Sequence, residues 1–427
     1  MRHLLFCLLL VFTLSAYGQP RTDAFLTTLL KTNASPVIQQ VMQQPDAYRV
    51  QIIYTQINRD KANRPSFTNY YFRVDSTEYF NPASTVKLPL ALLSLEKLNA
   101  LNKPQVTKFT AMQFDSAYSG QTREWTDKTA ESGYPSVAHL IRKAFLVSEN
   151  DPYSRMYEFV GQQQINRSLH AKGYPDTRIT HRFVRMTADE NRHTNPVRFI
   201  AADGKLLYAQ PPANNPDPFD FRREARLGKG YYVKDSLVKQ PFDFTTRNKL
   251  PLESLHQILQ STLFPESVPA IQRFNLTADD YTFLYQYLSQ FPGETNYPKY
   301  DARQYYDSYA KFFFRDSLHR LPDGLRVFNK VGWAYGFLTD ASYVADFKNK
   351  VEYMLTAVIY ANSDGILNDD KYDYDTVGYP FLYQLGQTIY QYELSRKRQY
   401  KPDLTRFKVT YEKRRPDNRP IVKDVDN

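Results

Sequence analysis

Apolar residues recur every third or fourth position in some stretches of this chain and gather with β-branched and aromatic neighbours in others. Within 23–44, Phe25, Leu26, Leu29 and Leu30 share one side, which predicts a helix over that range. The runs 48–60 and 67–75 are strand-like, with Asn63-Arg64-Pro65 as a turn between them. Leu88, Ala91, Leu92 and Leu95 mark a helix just after residue 84, and Val137, Leu140, Ile141, Ala144 and Phe145 mark another. A further helix is expected from Pro152 to Val160. Residues 198–210 pattern as a hairpin turning at Asp203-Gly204. Helices follow at 250–264, at 278–291 and over the segment 307–314. Two late strand patterns and a helix over 379–394 close the series, with no internal repeat.

Strands near both ends of the chain with helices between them point to an α+β fold. One antiparallel sheet is flanked by helices, and the middle of the chain forms an all-helical lobe. A cleft between sheet and lobe is the natural place for a site. Residues 184–244 break the pattern: they are rich in Pro, Asn, Asp and Arg and read as an insertion.

Composition sharpens this picture. The chain has 427 residues, 42% of them hydrophobic and 15% aromatic, enough for a sizeable core. Arg2 and His3 followed by the apolar run Leu4–Leu14 read as an export leader of residues 1–18, cut before Gln19. The apolar run is too short to cross a bilayer comfortably, so no stable membrane insertion is expected once the leader is removed. The only cysteine, Cys7, falls in this leader, so the mature chain would have no disulfide and no thiolate ligand. A periplasmic or secreted protein, monomeric, is the expectation. The net charge of +10 raises the question of nucleic acid. Much of the excess lies in 395–427, read as a basic solvated tail, and no nucleic-acid-binding motif accompanies it. His170, His181 and His193 are not at useful ligand spacing, so neither a metal nor a cofactor is expected.

Three short motifs carry candidate chemistry. Ser84 and Lys87 stand at i and i+3, so their side chains share a helix face near its positive end. A lysine kept neutral by burial can accept the proton of an attacking serine. Ser148-Glu149-Asn150 follows an apolar helix and offers a hydroxyl to relay a proton and an amide to hold a substrate. Lys330-Val331-Gly332 opens a strand: the lysine supplies charge for a carboxylate, and the glycine lets a substrate lie along the strand edge. Each motif alone is weak, since a chance Ser-x-x-Lys, a helix-end turn and a solvated strand end would look the same.

Taken together and in this order, the motifs resemble the S-x-x-K, S-D-N and K-T-G set of the serine penicillin-recognising enzymes, and class A β-lactamases most of all. The resemblance extends from the first helix to about residue 394, through stretches such as "PASTVKLPLALLSLEKLN" and "KVGWAYGFLTDASYVADF". It implies Ser84 as the acylated nucleophile, Lys87 as its proton acceptor and Ser148 as the shuttle to the leaving nitrogen. Asn150 would hold the substrate amide and Lys87. Lys330 would steer a carboxylate, Gly332 would lie against the substrate, and the N–H groups of Ser84 and Trp333 would form an oxyanion hole.

Three departures stand out. Glu149 replaces the family's aspartate. Val331 replaces a hydroxyl residue. Phe183 falls where the family keeps the glutamate that activates the deacylating water. Asp189 and Glu190 are the nearest acids further along, with Glu190 the candidate replacement base. The resemblance implies a serine hydrolase acting on β-lactams, with a peptidoglycan-directed D-Ala-D-Ala peptidase or amidase, or a penicillin-binding sensor that does not turn over, as alternatives. The ligand would be a β-lactam or a peptidoglycan-like peptide.

Overall fold

The computed structural model describes residues 20–425 except 33, 318, 417 and 418. The leader expected over 1–18, with Cys7, lies outside the described residues. The fold is α+β. Its centre is a five-stranded antiparallel sheet of β1 (Gln51–Arg59), β2 (Pro65–Phe72), β3 (Leu325–Ala334), β4 (Phe337–Asp346) and β5 (Val351–Tyr360). The spatial order is β3-β4-β5-β1-β2, so the first strand pairs with the last, Gln51 opposite Val358. Every residue of β4 and β5 is buried, because helices cover both faces of the sheet.

On one face lie α1 (Ala24–Lys31), α2 (Pro36–Gln43) and α10 (Tyr379–Ser395). Leu26, Leu30, Ile38 and Val41 pack there with Tyr54, Leu385 and Ile389. The helix expected over 23–44 is therefore two helices. Pro36 starts α2, Ser35 caps it by accepting from the Ile38 N–H at 3.5 Å, and the residue before a proline disfavours helix.

On the other face stands the helical lobe: α3 (Lys87–Ala100), α4 (Val137–Leu146), α5 (Asn150–Val160), α6 (Gln162–Ala171), the short α7 (Ala188–Arg192), α8 (Leu252–Leu263) and α9 (Ala278–Ser289). Leu88, Leu92, Ile141, Met156 and Leu259 are among its buried residues. The polar sequence of α6 hid it, since only Gln162, Ile165, Asn166 and Leu169 are buried. Small sheets edge the lobe. The expected hairpin is present as Val197–Ile200 against Leu206–Gln210, and Ala111–Phe114 adds a third strand. The segment 307–314 forms only a short turn, Phe312–Phe314, where a helix was expected. Its groups bond across the fold instead: Lys311 Nζ donates to the Leu288 and Val327 carbonyls, and the Phe312 N–H donates to Asp340 at 2.9 Å.

The segment after residue 395 docks on the lobe at several points, although many of its described side chains remain exposed. Leu404 and Phe407 are buried, and Arg326 stacks on Tyr411 at 3.7 Å. Glu412 accepts from Tyr287 and from the Asn296 N–H, and Val422 forms a parallel bridge with Tyr300. The positive charge is spaced by apolar side chains that the lobe buries. Among the described residues, no helix is long and apolar enough to cross a membrane.

Candidate active site

Ser84 lies in a tight helical turn, Ala83–Val86, that runs straight into α3. The turn is pinned at its start by the Ala83 N–H donating to Asn81 Oδ1 at 2.8 Å and by Thr85 Oγ1 donating to the Pro82 carbonyl at 2.6 Å. Ala83 has φ +43° and Ser148 has φ +69°, left-handed conformations that cost about 1–3 kcal/mol each for residues other than glycine. Ala83 precedes the first motif and Ser148 opens the second, and such strain is retained only if the surroundings impose it.

Lys330 does not open its strand. It sits six residues into β3, which begins at Leu325. This depth carries Gly332 across the Ser84 turn. A Cβ at Gly332 would stand 2.7 Å from the Pro82 carbonyl oxygen and 2.9 Å from the Ser84 nitrogen, so only glycine permits the approach. Trp333 follows at the point where β3 begins to emerge toward solvent.

The side chains converge on Ser148, which is fully buried. Lys330 Nζ donates to Ser148 Oγ at 2.9 Å and to the Val331 carbonyl at 2.7 Å. Lys87 Nζ reaches the same Oγ at 3.4 Å and donates to the Ser148 carbonyl and, at 2.9 Å, to Asn150 Oδ1. Ser84 itself, one turn before Lys87, is nearly buried at 8% exposed. Burial pushes the Lys87 ammonium well below its ordinary value, the charge of Lys330 pushes the same way, and Glu149 opposes both. Burial also lowers Lys330, to about 7, against the pull of Asp340. Two lysines that shed protons readily and share one hydroxyl form a proton-transfer path.

Glu149 faces away from this path. It accepts from Tyr300 Oη at 2.5 Å and pairs with Lys143 at 3.2 Å, which in turn meets Asp127 at 3.1 Å. It anchors the loop between Ser148 and Asn150 from behind.

Phe183 does reach the cluster. Lys87 Nζ lies 5.4 Å from its ring centre, and the ring stacks on Tyr153 at 4.1 Å. Glu190 is placed elsewhere. Its Oε2 accepts from the Thr187 N–H at 2.7 Å and its Oε1 accepts from Ser119 at 2.8 Å, a capping box at the start of α7. These hydrogen bonds hold its carboxyl below the usual carboxylate range and weaken it as a base. Glu190, the candidate replacement base, is thereby engaged as the cap of α7, and Thr-x-x-Glu before a helix is a cap signal legible in the sequence. Asp189 likewise accepts from Tyr118, at 2.6 Å. His170, His181 and His193 each bond a backbone carbonyl, of Thr177, Arg182 and Asp189.

One contribution was missed in the sequence. The insertion returns to the site. Its strand Gly230–Val233 runs parallel to Ile366–Leu367, with Gly230 opposite Ile366, and the Lys229 N–H donates to the Gly365 carbonyl at 2.7 Å. Phe242 and Phe244 pack on Tyr335, at the β3–β4 turn. Glycines at 228 and 230, where a Cβ would meet backbone oxygens at 2.7 and 3.0 Å, were the available signal.

Residues 33–207 match the model of the beta-lactamase enzyme family. The match contains Ser84, Lys87, Ser148, Asn150 and Phe183 and stops before Lys330. No curated protein matches this chain. Solved structures similar to it include a beta-lactamase from Streptosporangium roseum, 14% identical, covering 83% of this chain and 98% of that one at a TM-score of 0.44. A beta-lactamase from Chitinophaga pinensis is 11% identical, covering 84% and 99% at 0.45. One from Desulfarculus baarsii is 14% identical, covering 86% and 99% at 0.44.

Proposed function

We propose that this β-lactamase-like chain is an exported serine acyl-transfer enzyme, acylated at Ser84 by β-lactams and by related amides of peptidoglycan-like peptides, and slow to release the acyl group. The observation that carries the reading is Ser148 Oγ held between Lys330 Nζ at 2.9 Å and Lys87 Nζ at 3.4 Å, with Lys87 itself one turn along from Ser84. In the proposed reaction, neutral Lys87 takes the Ser84 proton as Oγ attacks the carbonyl carbon. The N–H groups of Ser84 and Trp333 receive the developing oxyanion. The C–N bond breaks, and the proton passes through Ser148 to the leaving nitrogen. Asn150 orients the substrate amide while holding Lys87. Charged Lys330 attracts the substrate carboxylate.

Release is a different matter. Hydrolysis of the acyl-enzyme needs a water held by a base. Beside Lys87 stands the Phe183 ring, and the Glu190 carboxylate is tied to Thr187 and Ser119. The proposal is therefore a persistent adduct. The test is intact mass after brief incubation with benzylpenicillin. A lasting adduct on the native chain, absent from Ser84→Ala with unchanged circular dichroism, supports it. Full labelling of Ser84→Ala would overturn the nucleophile, and rapid penicillin consumption without adduct would overturn slow release.

A further inference from the structure

Beyond Trp333 the edge of β3 opens into a cavity of about 460 Å³. Trp333, Tyr335, Tyr372 and Tyr374 wall it, and Asp370 and Asp375 stand at its mouth. The cavity adjoins the nucleophile: Gly332 covers the Ser84 nitrogen, and a strand advances only about 3.3 Å per residue. Two of the three tyrosine hydroxyls are already engaged with backbone. Tyr374 Oη accepts from the Gly336 N–H at 2.9 Å, and Tyr372 Oη accepts from the Asn368 N–H at 2.9 Å. The rings, rather than the hydroxyls, are what the cavity offers a ligand.

The carboxylates point to the ligand's charge. The loop 369–375 holds four aspartates against one lysine, Lys371. Asp369 accepts from the Lys371 N–H and Asp373 accepts from the Ser363 N–H, so these two are used in shaping the loop. Asp370 and Asp375 take no hydrogen bond or ion pair among the described residues. The wall is also held at a conformational cost. Tyr335 has φ +53°, rare for an aromatic residue, and the insertion's Phe242 and Phe244 pack on it at 5.6 and 5.2 Å. The insertion's strand also pairs with Ile366–Leu367, just before the loop.

We infer that this cavity is a subsite for a substrate portion bearing a protonated primary amine, set between aromatic faces and the Asp370 and Asp375 carboxylates. Aromatic rings attract cations through their quadrupoles, and carboxylates complete the recognition. The inference rests on the reading of Ser84 as nucleophile and assigns the insertion a task, the bracing of this wall.

The test has two arms. In the first, Trp333 fluorescence of a Trp125→Phe chain is titrated with 1,5-diaminopentane and with its diacetylated form. Saturable quenching by the diamine alone, weakened about tenfold in Asp370→Asn/Asp375→Asn, supports the subsite. Equal responses to both compounds, or none, would overturn it. In the second arm, acylation by a penicillin with a free side-chain amine is compared with its N-acetylated form by intact mass. A preference of about tenfold for the free amine, lost in the same double variant while the acetylated form is unaffected, supports the subsite again. Equal acylation overturns the subsite and leaves the proposed function standing. No acylation by either compound overturns the proposed function, and the diamine titration still decides the subsite. Both aspartates are exposed, so the double variant is expected to fold normally, which circular dichroism verifies.

Discussion

The two flanks of the Ser84 cluster are built from opposite materials. On the lobe side the wall is carbon: Phe183 stacks on Tyr153 and presents its ring to Lys87. On the sheet side the wall is aromatic and acidic, with Asp370 and Asp375 beyond Trp333. A carboxylate is thus missing where a water would be activated and present where a substrate's tail would lie. On the proposed function the contrast separates the two halves of acyl transfer: the buried lysines and serines would serve bond-making, the sheet-side flank would select what is bound, and the lobe-side flank would withhold the second step.

The largest expected effect comes from erasing the contrast. Phe183→Glu places a carboxylate beside Lys87, and adduct release is expected to rise on the order of 10²-fold or more, measured as decay of the acyl mass. Acylation should change far less. Unchanged adduct lifetime would show that the ring is not what limits release.

Next is the seam between the flanks. Gly332→Ala drives a Cβ against backbone on the Ser84 turn, with no flexible side chain to yield. A displacement of this kind is expected to cost about 10²-fold in acylation rate. Near-normal labelling would mean the seam has slack.

The third effect concerns charge. Lys330 is cationic below about 7 and neutral above it, so acylation by carboxylate-bearing substrates should fall as pH rises through that value. On the acid side the rate rises as Lys87 sheds its proton, well below the ordinary lysine value. Lys330→Ala should slow carboxylate substrates about tenfold and neutral esters little, and the alkaline fall should vanish. An equal loss on both substrates would remove Lys330 from carboxylate recognition. Smallest of all is Glu190→Gln, expected to change adduct lifetime by less than about twofold, because its carboxylate serves α7.

The sheet and most helices were legible because their apolar spacing matches what is buried, as in Leu88, Leu92 and Leu95 of α3. The motifs pointed to side chains that do meet, with Lys87 and Lys330 both on Ser148, while the depth of Lys330 within its strand was not legible. Legibility failed where residues bond to partners far along the chain. The helix expected at 307–314 dissolves because Lys311 and Phe312 satisfy groups on β3, β4 and α9. The insertion looked aimless because its order comes from Ile366, Leu367 and Tyr335, more than ninety residues later. The basic tail looked solvated because charge outnumbers the few apolar side chains that dock it.

That docked tail also sets a timetable. Val422 bridges Tyr300, whose hydroxyl steadies Glu149 between Ser148 and Asn150. Translation adds about 5–20 residues per second, so Lys330 is made roughly 5–20 seconds before Val422, and the earlier motif residues precede it by longer still. A growing chain therefore carries its serine and both lysines before their scaffold is complete. The loop that carries Ser148 and Asn150 is therefore braced from behind only once the segment around Val422 has docked.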